Sequence, residues 1–193
     1  MNDLDDFTLI QTYLQGDPEA FNIIYERYKK PLYGYLNNLF QGSNNSATDD
    51  IFQQTWLKAI QSMNRYRNQE KFSAWLMRIA HNLTVDYYRA ASRRAEDILD
   101  NDREKQLVSP DSAGPRENLD QLELSEALDT AIQKLSPELR EVFLLRQQDF
   151  SFREIAEIQQ CSINTCLARM QYAMKKLRSL LQNWMPGTKV KGR

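Results

Sequence analysis

Residues 150–166 read FSFREIAEIQQCSINTC, and the fold turns on what that run does. Ser151 stands three residues before Glu154, so each side chain can reach an unpaired backbone N–H of the other in a capping box, with Phe150 and Ile155 placed as a hydrophobic staple around it. The helix begun this way, about residues 152–159, is short. Gln159-Gln160-Cys161 supplies a turn of few residues, and Ser162 can cap a second helix. Along that helix Ile163, Cys166, Met170, Ala173, Leu177 and Leu180 recur at spacings of three and four, which predicts a core-facing stripe. Asn164, Ala168, Gln171, Lys175 and Arg178 fall on the opposite face. Upstream, Ser136-Pro137 opens another helix. A short capped helix, a turn and a longer helix in that order predict a helix-turn-helix.

Charge points the same way. After Glu157 the chain carries Arg169, Lys175, Lys176, Arg178, Lys189, Lys191 and Arg193 and no acidic residue. Such an end attracts phosphate, with binding that weakens steeply as salt rises. Basic residues on a last helix can also be a mere solvated face complementing its dipole; the ordered constellation around them argues against that.

The net charge of −1 over 193 residues hides an uneven distribution. Residues 1–94 hold 11 Lys/Arg against 10 Asp/Glu, residues 95–120 hold 3 against 8, and residues 121–193 hold 11 against 8. The acidic middle, with Ser109-Pro110-Asp111 and Gly114-Pro115, neither repeats apolar positions nor tolerates a continuous helix, and reads as a mobile linker. The expected class is all-α: two helical domains, 1–94 and 121–185, joined by the acidic linker 95–120 and followed by a basic tail, 186–193. No apolar run approaches the ~20 residues of a membrane span and the amino terminus is acidic, so a cytoplasmic protein with no membrane contact is expected. Cys161, Cys166 and the single His81 make no zinc ligand set, and no phosphate loop or nucleophile elbow occurs. Neither catalysis nor a metal or cofactor is expected.

In the first half, Asp17-Pro18 caps a helix with proline at its first position. Phe21, Ile24, Tyr25, Tyr28, Leu32, Tyr35, Leu36 and Leu39 give it one apolar stripe, with a kink expected at Pro31. A shorter helix over residues 3–15 is expected to dock through Leu4, Phe7, Ile10 and Leu14. The next begins at Thr48 or Asp49 and buries Ile51, Phe52, Thr55, Trp56, Ala59, Ile60 and Met63. Its other face, Asp50, Gln53, Gln54, Leu57 and Lys58, suits a protein contact and equally suits solvent. Residues 64–71 form a basic loop containing Tyr66 and Arg67. In the helix from Phe72, the residues Phe72, Trp75, Leu76, Ile79, Ala80, Leu83 and Tyr87 face inward, while Arg78, Asn82, Asp86, Arg89 and Arg93 make a mostly basic outer stripe. Loop and stripe could stack unpaired bases and cradle their phosphates; a structural tyrosine and a solvated helix are the alternative.

Several segments together resemble the extracytoplasmic-function (ECF) sigma factors of bacterial RNA polymerase. Asp17-Pro18-Glu19-Ala20-Phe21 through Pro31-Leu32 is similar to region 2.1, and Asp49-Asp50-Ile51-Phe52-Gln53-Gln54-Thr55-Trp56-Leu57 to region 2.2. Phe72 to Asn82, continuing to Asp86 and Arg89, resembles the end of region 2. Leu135-Ser136-Pro137-Glu138-Leu139-Arg140-Glu141-Val142-Phe143 with the helix-turn-helix resembles region 4. The resemblance implies that Asp49, Asp50, Gln53, Gln54, Trp56 and Leu57 dock on the β′ clamp helices of the polymerase core. It implies that Tyr66, Arg67, Asn68, Lys71, Arg78, Asn82, Arg89 and Arg93 engage the −10 element, capturing a base of the non-template single strand. Ser151, Arg153, Ser162, Asn164, Thr165, Ala168, Arg169, Gln171, Tyr172 and Lys175 would face the double-stranded −35 promoter DNA, with region 4 on the β flap and the linker directed toward the RNA exit path. Such proteins are often held by an anti-sigma factor between the domains, a candidate partner that no residue here marks.

Two departures bear on specificity. Many members carry Val-Gly-Thr-Val and then a basic residue in the recognition helix, where this chain reads Ile163-Asn164-Thr165-Cys166-Leu167-Ala168-Arg169, and a basic residue often replaces Tyr172. Arginine reads guanine through a bidentate pair of roughly 1–3 kcal/mol that leucine cannot make, so a weaker or differently shaped −35 preference is expected. Gln54 stands where an acid is common, yet Asp49 and Asp50 leave docking intact.

Overall fold

The computed structural model describes residues 4–40, 45–67, 71–99 and 120–182. Among them there are eight α-helices and no strand: α1 Asp6–Leu14, α2 Pro18–Leu39, α3 Asn45–Ser62, α4 Phe72–Leu99, α5 Asp120–Gln133, α6 Pro137–Gln147, α7 Phe152–Ile158 and α8 Ile163–Leu180, with a 3-10 turn at Met63–Arg65 after α3. The all-α reading holds.

Local chemistry explains most helix boundaries. Asp5 caps α1 by accepting from the Thr8 backbone N–H at 2.9 Å, and Asp17 caps α2 by accepting from that of Glu19 at 2.9 Å. Between them Gly16 takes φ +104°, a left-handed conformation that a Cβ disfavours. The α1 helix is pinned to α2 by Asp6, which accepts from Arg27 and Tyr28. Leu9 and Ile10 are its buried residues, whereas Leu4 and Leu14 are exposed. Ile10 of the expected docking set is thus buried and Phe7 packs half-buried against the core, while Leu4 lies ahead of the helix start at Asp6 and Leu14 at its end. The α2 helix runs through Pro31. The α3 helix begins at Asn45, ahead of Thr48, which is buried inside it.

The α2, α3 and α4 helices enclose the first core, rich in aromatic contacts. Trp56 lies 5.0 Å from Tyr25 and 5.8 Å from Phe21, edge-on to the latter. The α4 helix continues to Leu99, into the stretch read as linker; residues 100–119 and the tail 183–193 lie outside the described residues.

In the second half both arms of the Ser151 capping box form, at 2.7 and 3.2 Å, and Phe150 and Ile155 are both buried. Gln160 closes the turn at φ +51°, and Ser162 Oγ accepts from the Thr165 N–H at 3.0 Å. Ser136 stands at the α6 N-cap without a side-chain cap bond. Cys166, Ala173 and Leu177 of the α8 stripe are buried, but Ile163 is 47% exposed and Leu180 is exposed at the far end. Three-four periodicity extends past the stretch its neighbours cover, which runs from Cys166 to Leu177 and leaves out both ends of α8.

The halves meet along α2 and α4 on one side and α6 and α7 on the other. Every residue from Arg140 to Leu145 of α6 is buried. Six consecutive buried positions take in every side of a helix, so α6 is enclosed by both halves.

Candidate nucleic-acid interface

Three surfaces carry the residues singled out by sequence. On α3, Asp49, Asp50, Gln53 and Gln54 are exposed, and Leu57 is 58% exposed, a large apolar side chain in a polar ring. Tyr33 of α2 donates to Asp49 Oδ1 at 2.9 Å, a bond that holds the phenol above its usual range. Trp56 belongs elsewhere. At 5% exposure it is part of the core beneath this face, as its place in the buried α3 stripe predicts.

The second surface is the amino-terminal two-thirds of α4 and the loop before it. Arg67, Lys71, Asn82, Arg89 and Arg93 are exposed and Arg78 is half-buried; Asn68 lies outside the described residues. Tyr66 corrects the expectation of a stacking side chain: it is 4% exposed, with its ring 5.6 Å from Phe72 and 5.5 Å from Trp75. Aromatic contact within the core outcompetes solvent for a ring placed just before two others. Arg89 is 3.7 Å from Asp86, and Arg93 Nε donates to the Arg89 carbonyl at 3.3 Å.

On the third surface, Asn164, Thr165, Gln171, Tyr172 and Lys175 are exposed on α8 and Ala168 is half-buried between them. Ser151 and Ser162 serve as caps, each hydroxyl oxygen turned toward backbone N–H groups at a helix start. Arg153 is exposed and 3.5 Å from Glu157 one turn on. Arg169 is half-buried, and its Nη1 donates to Gln159 Oε1 at 2.9 Å.

Sequence reading missed the polar cluster between the halves. Glu141, 5% exposed, accepts from the Tyr35 hydroxyl, lies 2.7 Å from His81 Nδ1, and accepts from Gln159 Nε2 at 2.8 Å. Burial, with the Glu141 charge and hydrogen bond added, pushes the Tyr35 phenol well above its ordinary range. Next to it Arg140 donates to the carbonyls of Ile132, Gln133 and Leu135 at the end of α5 and to Leu39 O at the end of α2, the last at 2.8 Å. Burial lowers its pKa. It closes two helix C-termini, one in each half. One signal was available: Arg140-Glu141 directly precede the apolar run Val142 to Leu145, and charged groups entering such a run need partners.

A two-part helical protein with a helix-turn-helix in its second part and a basic helix beside an amide-rich, leucine-tipped one in its first is built as a DNA-reading transcription factor of the sigma-70 type. Residues 24–94 match Sigma-70 region 2 and residues 125–177 match Sigma-70, region 4. The chain is 30% identical over 188 residues to the ECF RNA polymerase sigma-E factor of Haemophilus influenzae, covering 94% of this chain and 98% of that one. It is 26% identical to the RNA polymerase sigma-H factor of Pseudomonas aeruginosa, covering 92% and 94%. Among solved structures it resembles the sigma factor RpoE of Bartonella quintana in complex with the anti-sigma factor NepR, with a TM-score of 0.65, 24% identity and coverage of 84% and 96%. It likewise resembles CnrH in complex with the cytosolic domain of CnrY, with a TM-score of 0.65, 24% identity and coverage of 92% and 97%. The chain belongs to the ECF sigma factors, a family of non-enzymatic transcription initiation factors. No helix among the described residues is long and apolar enough to cross a membrane.

Proposed function

We infer that this sigma factor binds the RNA polymerase core through the exposed face of α3, opens the −10 element with α4 and reads the −35 element with α8. The observation that carries the reading is the pairing on one unit of a solvent-exposed Leu57, ringed by Asp50, Gln53 and Gln54, with a basic helix edge on α4. An apolar anchor in a polar rim is what a protein partner needs, and a cationic edge is what a phosphate backbone needs. Arg67, Lys71, Arg78, Asn82, Arg89 and Arg93 are the groups proposed for the −10 strand. Asn164, Thr165, Gln171 and Lys175 are those proposed for −35 base edges and phosphates, with Arg169 available once it leaves Gln159. A stand-alone regulator would need only the second half, and the region 2 match over residues 24–94 leaves that alternative without support.

An anti-sigma factor fits as a further partner. A cavity of about 630 Å³ opens at the seam of the two halves, with Leu39, Val85, Tyr88 and Pro137 as apolar wall and Arg89 and Arg93 at its edge. The site of action is the cytoplasm, where polymerase and chromosome meet.

The test is to reconstitute the purified chain with bacterial core polymerase and map transcription starts on fragmented genomic DNA, alongside Asp50→Arg and Asn82→Ala variants. Specific starts that disappear with either variant are expected. DNA binding through residues 121–182 with no binding to core would overturn the reading.

A further inference from the structure

The outward side of the first turns of α8 carries two carboxamides, three apolar groups and no cation. Asn164, Ala168 and Gln171 lie opposite the buried Cys166, Ala173 and Leu177, and Ile163 and Leu167, one turn apart, flank them. Asn164 and Gln171 are exposed, Ala168 is half-buried, and the flank is uncovered, with Ile163 47% and Leu167 37% exposed. The first exposed basic side chain of α8 is Lys175. Arg169, whose guanidinium could read guanine, is half-buried and donates from Nη1 to Gln159 Oε1 at 2.9 Å. Gln159 is fixed in turn, donating to Glu141 Oε2 at 2.8 Å and to the Glu138 carbonyl at 3.1 Å, so the arginine is drawn into the turn. These first turns are where the recognition helix of a helix-turn-helix meets base edges. Phosphate contacts fall to the exposed Lys175, Lys176 and Arg178 farther along, which position the helix without carrying sequence information.

Each of these side-chain types has its own counterpart in the major groove. A carboxamide donates and accepts at once, matching the N6 donor and N7 acceptor of adenine, whereas guanine offers acceptors alone. An aliphatic side chain packs on the C5 methyl of thymine, but against a G·C pair it strips water from polar atoms and returns no hydrogen bond. From Ile163 to Gln171 the helix rises about 12 Å, the length of three to four base pairs. We propose that this sigma factor takes a −35 element rich in A·T pairs, in which Asn164 reads an adenine, Ile163 and Leu167 pack on thymine methyl groups, and G·C pairs at those steps are rejected. This rests on the assignment of α8 to −35 DNA. It gives the open flank of α8 a use, since the apolar surface that no neighbouring helix covers is closed by thymine methyls when DNA is bound. Specificity then comes as much from exclusion as from attraction.

The test uses holoenzyme assembled from the full chain and core polymerase, with a promoter library randomised over the −35 block. The selected promoters should carry a short A·T block. Asn164→Ala should weaken the adenine preference at one step by about tenfold, ~1.4 kcal/mol, and leave the other steps alone. In a selected promoter, thymine is then changed to deoxyuridine one position at a time, which removes the methyl group and nothing else. Holoenzyme binding should fall about fourfold, ~0.8 kcal/mol, at a contacted thymine. One such effect should vanish in Leu167→Ala and another in Ile163→Ala, and Leu167→Arg should bring a guanine into the selected block. A block of G·C pairs, or deoxyuridine without effect at every position, overturns the A·T inference while leaving α8 on the −35 element. Promoters selected with no preference anywhere in the block overturn the inference and the assignment beneath it together.

Discussion

The bond between Tyr35 and Glu141 ties the two halves together from inside, and its strength can be isolated by a double-mutant cycle. Tyr35 is fully buried in α2 and Glu141 nearly so in α6. A hydrogen bond to a charged acceptor contributes about 1.5–3 kcal/mol, and a buried donor left without its acceptor costs a similar amount. Tyr35→Phe removes one of three donors around the carboxylate while His81 and Gln159 remain, so a loss of about 2 kcal/mol is expected. Glu141→Gln keeps the shape but replaces one acceptor oxygen with a donor facing donors, for a loss of about 3 kcal/mol. With both changes made, the second has less to disrupt, and the double variant should be more stable than the sum by about 1–2 kcal/mol. Urea unfolding followed by far-UV circular dichroism gives the four free energies. Additivity within about 0.5 kcal/mol would refute the docked arrangement, since residues on independently unfolding halves cannot couple.

Other substitutions separate surface roles from core roles. Leu57→Asp should abolish core binding in a pull-down while thermal stability moves by no more than about 0.5 kcal/mol, as expected for an exposed site. Trp56→Ala should instead lose about 3–5 kcal/mol of stability, because it empties a site among Phe21 and Tyr25; unchanged unfolding would contradict its burial. Ser151→Ala should cost about 1 kcal/mol through the α7 cap. Burial opposes the charged form of Glu154, but the Ser151 side-chain and backbone hydrogen bonds and Lys71 outweigh it and hold the carboxyl below its ordinary 4.5. Its contribution is therefore complete above that pH and is lost as pH falls through the depressed value; Glu154→Gln should flatten acid unfolding there. At the alkaline end the sign reverses. Tyr35 keeps its proton in the folded chain while the unfolded chain loses it near 10.0, so stability falls as pH rises past that point, and Tyr35→Phe should reduce the slope.

What sequence revealed and what it concealed divide along the range of the interactions. The capping box at Ser151, the Asp17-Pro18 start and the three-four stripes of α2, α3 and α4 depend on residues a turn apart, and each formed as read. The exposed Ile163 and Leu180, and Leu9 in place of Leu4, mark where a stripe outruns its neighbouring element, which periodicity does not report. Tyr66 passed for a contact residue because an aromatic in a polar loop looks the same whether its ring faces solvent or, as here, the rings of Phe72 and Trp75. The seam between the halves was least legible. Tyr35 and Glu141 are separated by 106 positions, and Asn82 and Gln160 by 78, so no local pattern connects them.

The manner in which that seam is satisfied argues that it is made to part. Among the carbonyls that Arg140 serves, those of Ile132, Gln133 and Leu135 belong to its own half and Leu39 O lies across the seam. Leu39 O in turn also accepts from Tyr88 of its own half at 3.1 Å. Glu141 keeps Gln159 on separation, and Gln159 keeps the Glu138 carbonyl and Arg169. Arg140, Glu141 and Gln159 therefore each retain a partner on their own side, while Tyr35 OH and His81 give up Glu141 and are released toward a surface where water can replace what they lose. Separation costs the difference between protein and water hydrogen bonds rather than the full penalty of a stranded buried charge, which is several kcal/mol smaller. A partner that parts the halves needs to supply only that difference. A seam held by one unshared buried ion pair would have required far more.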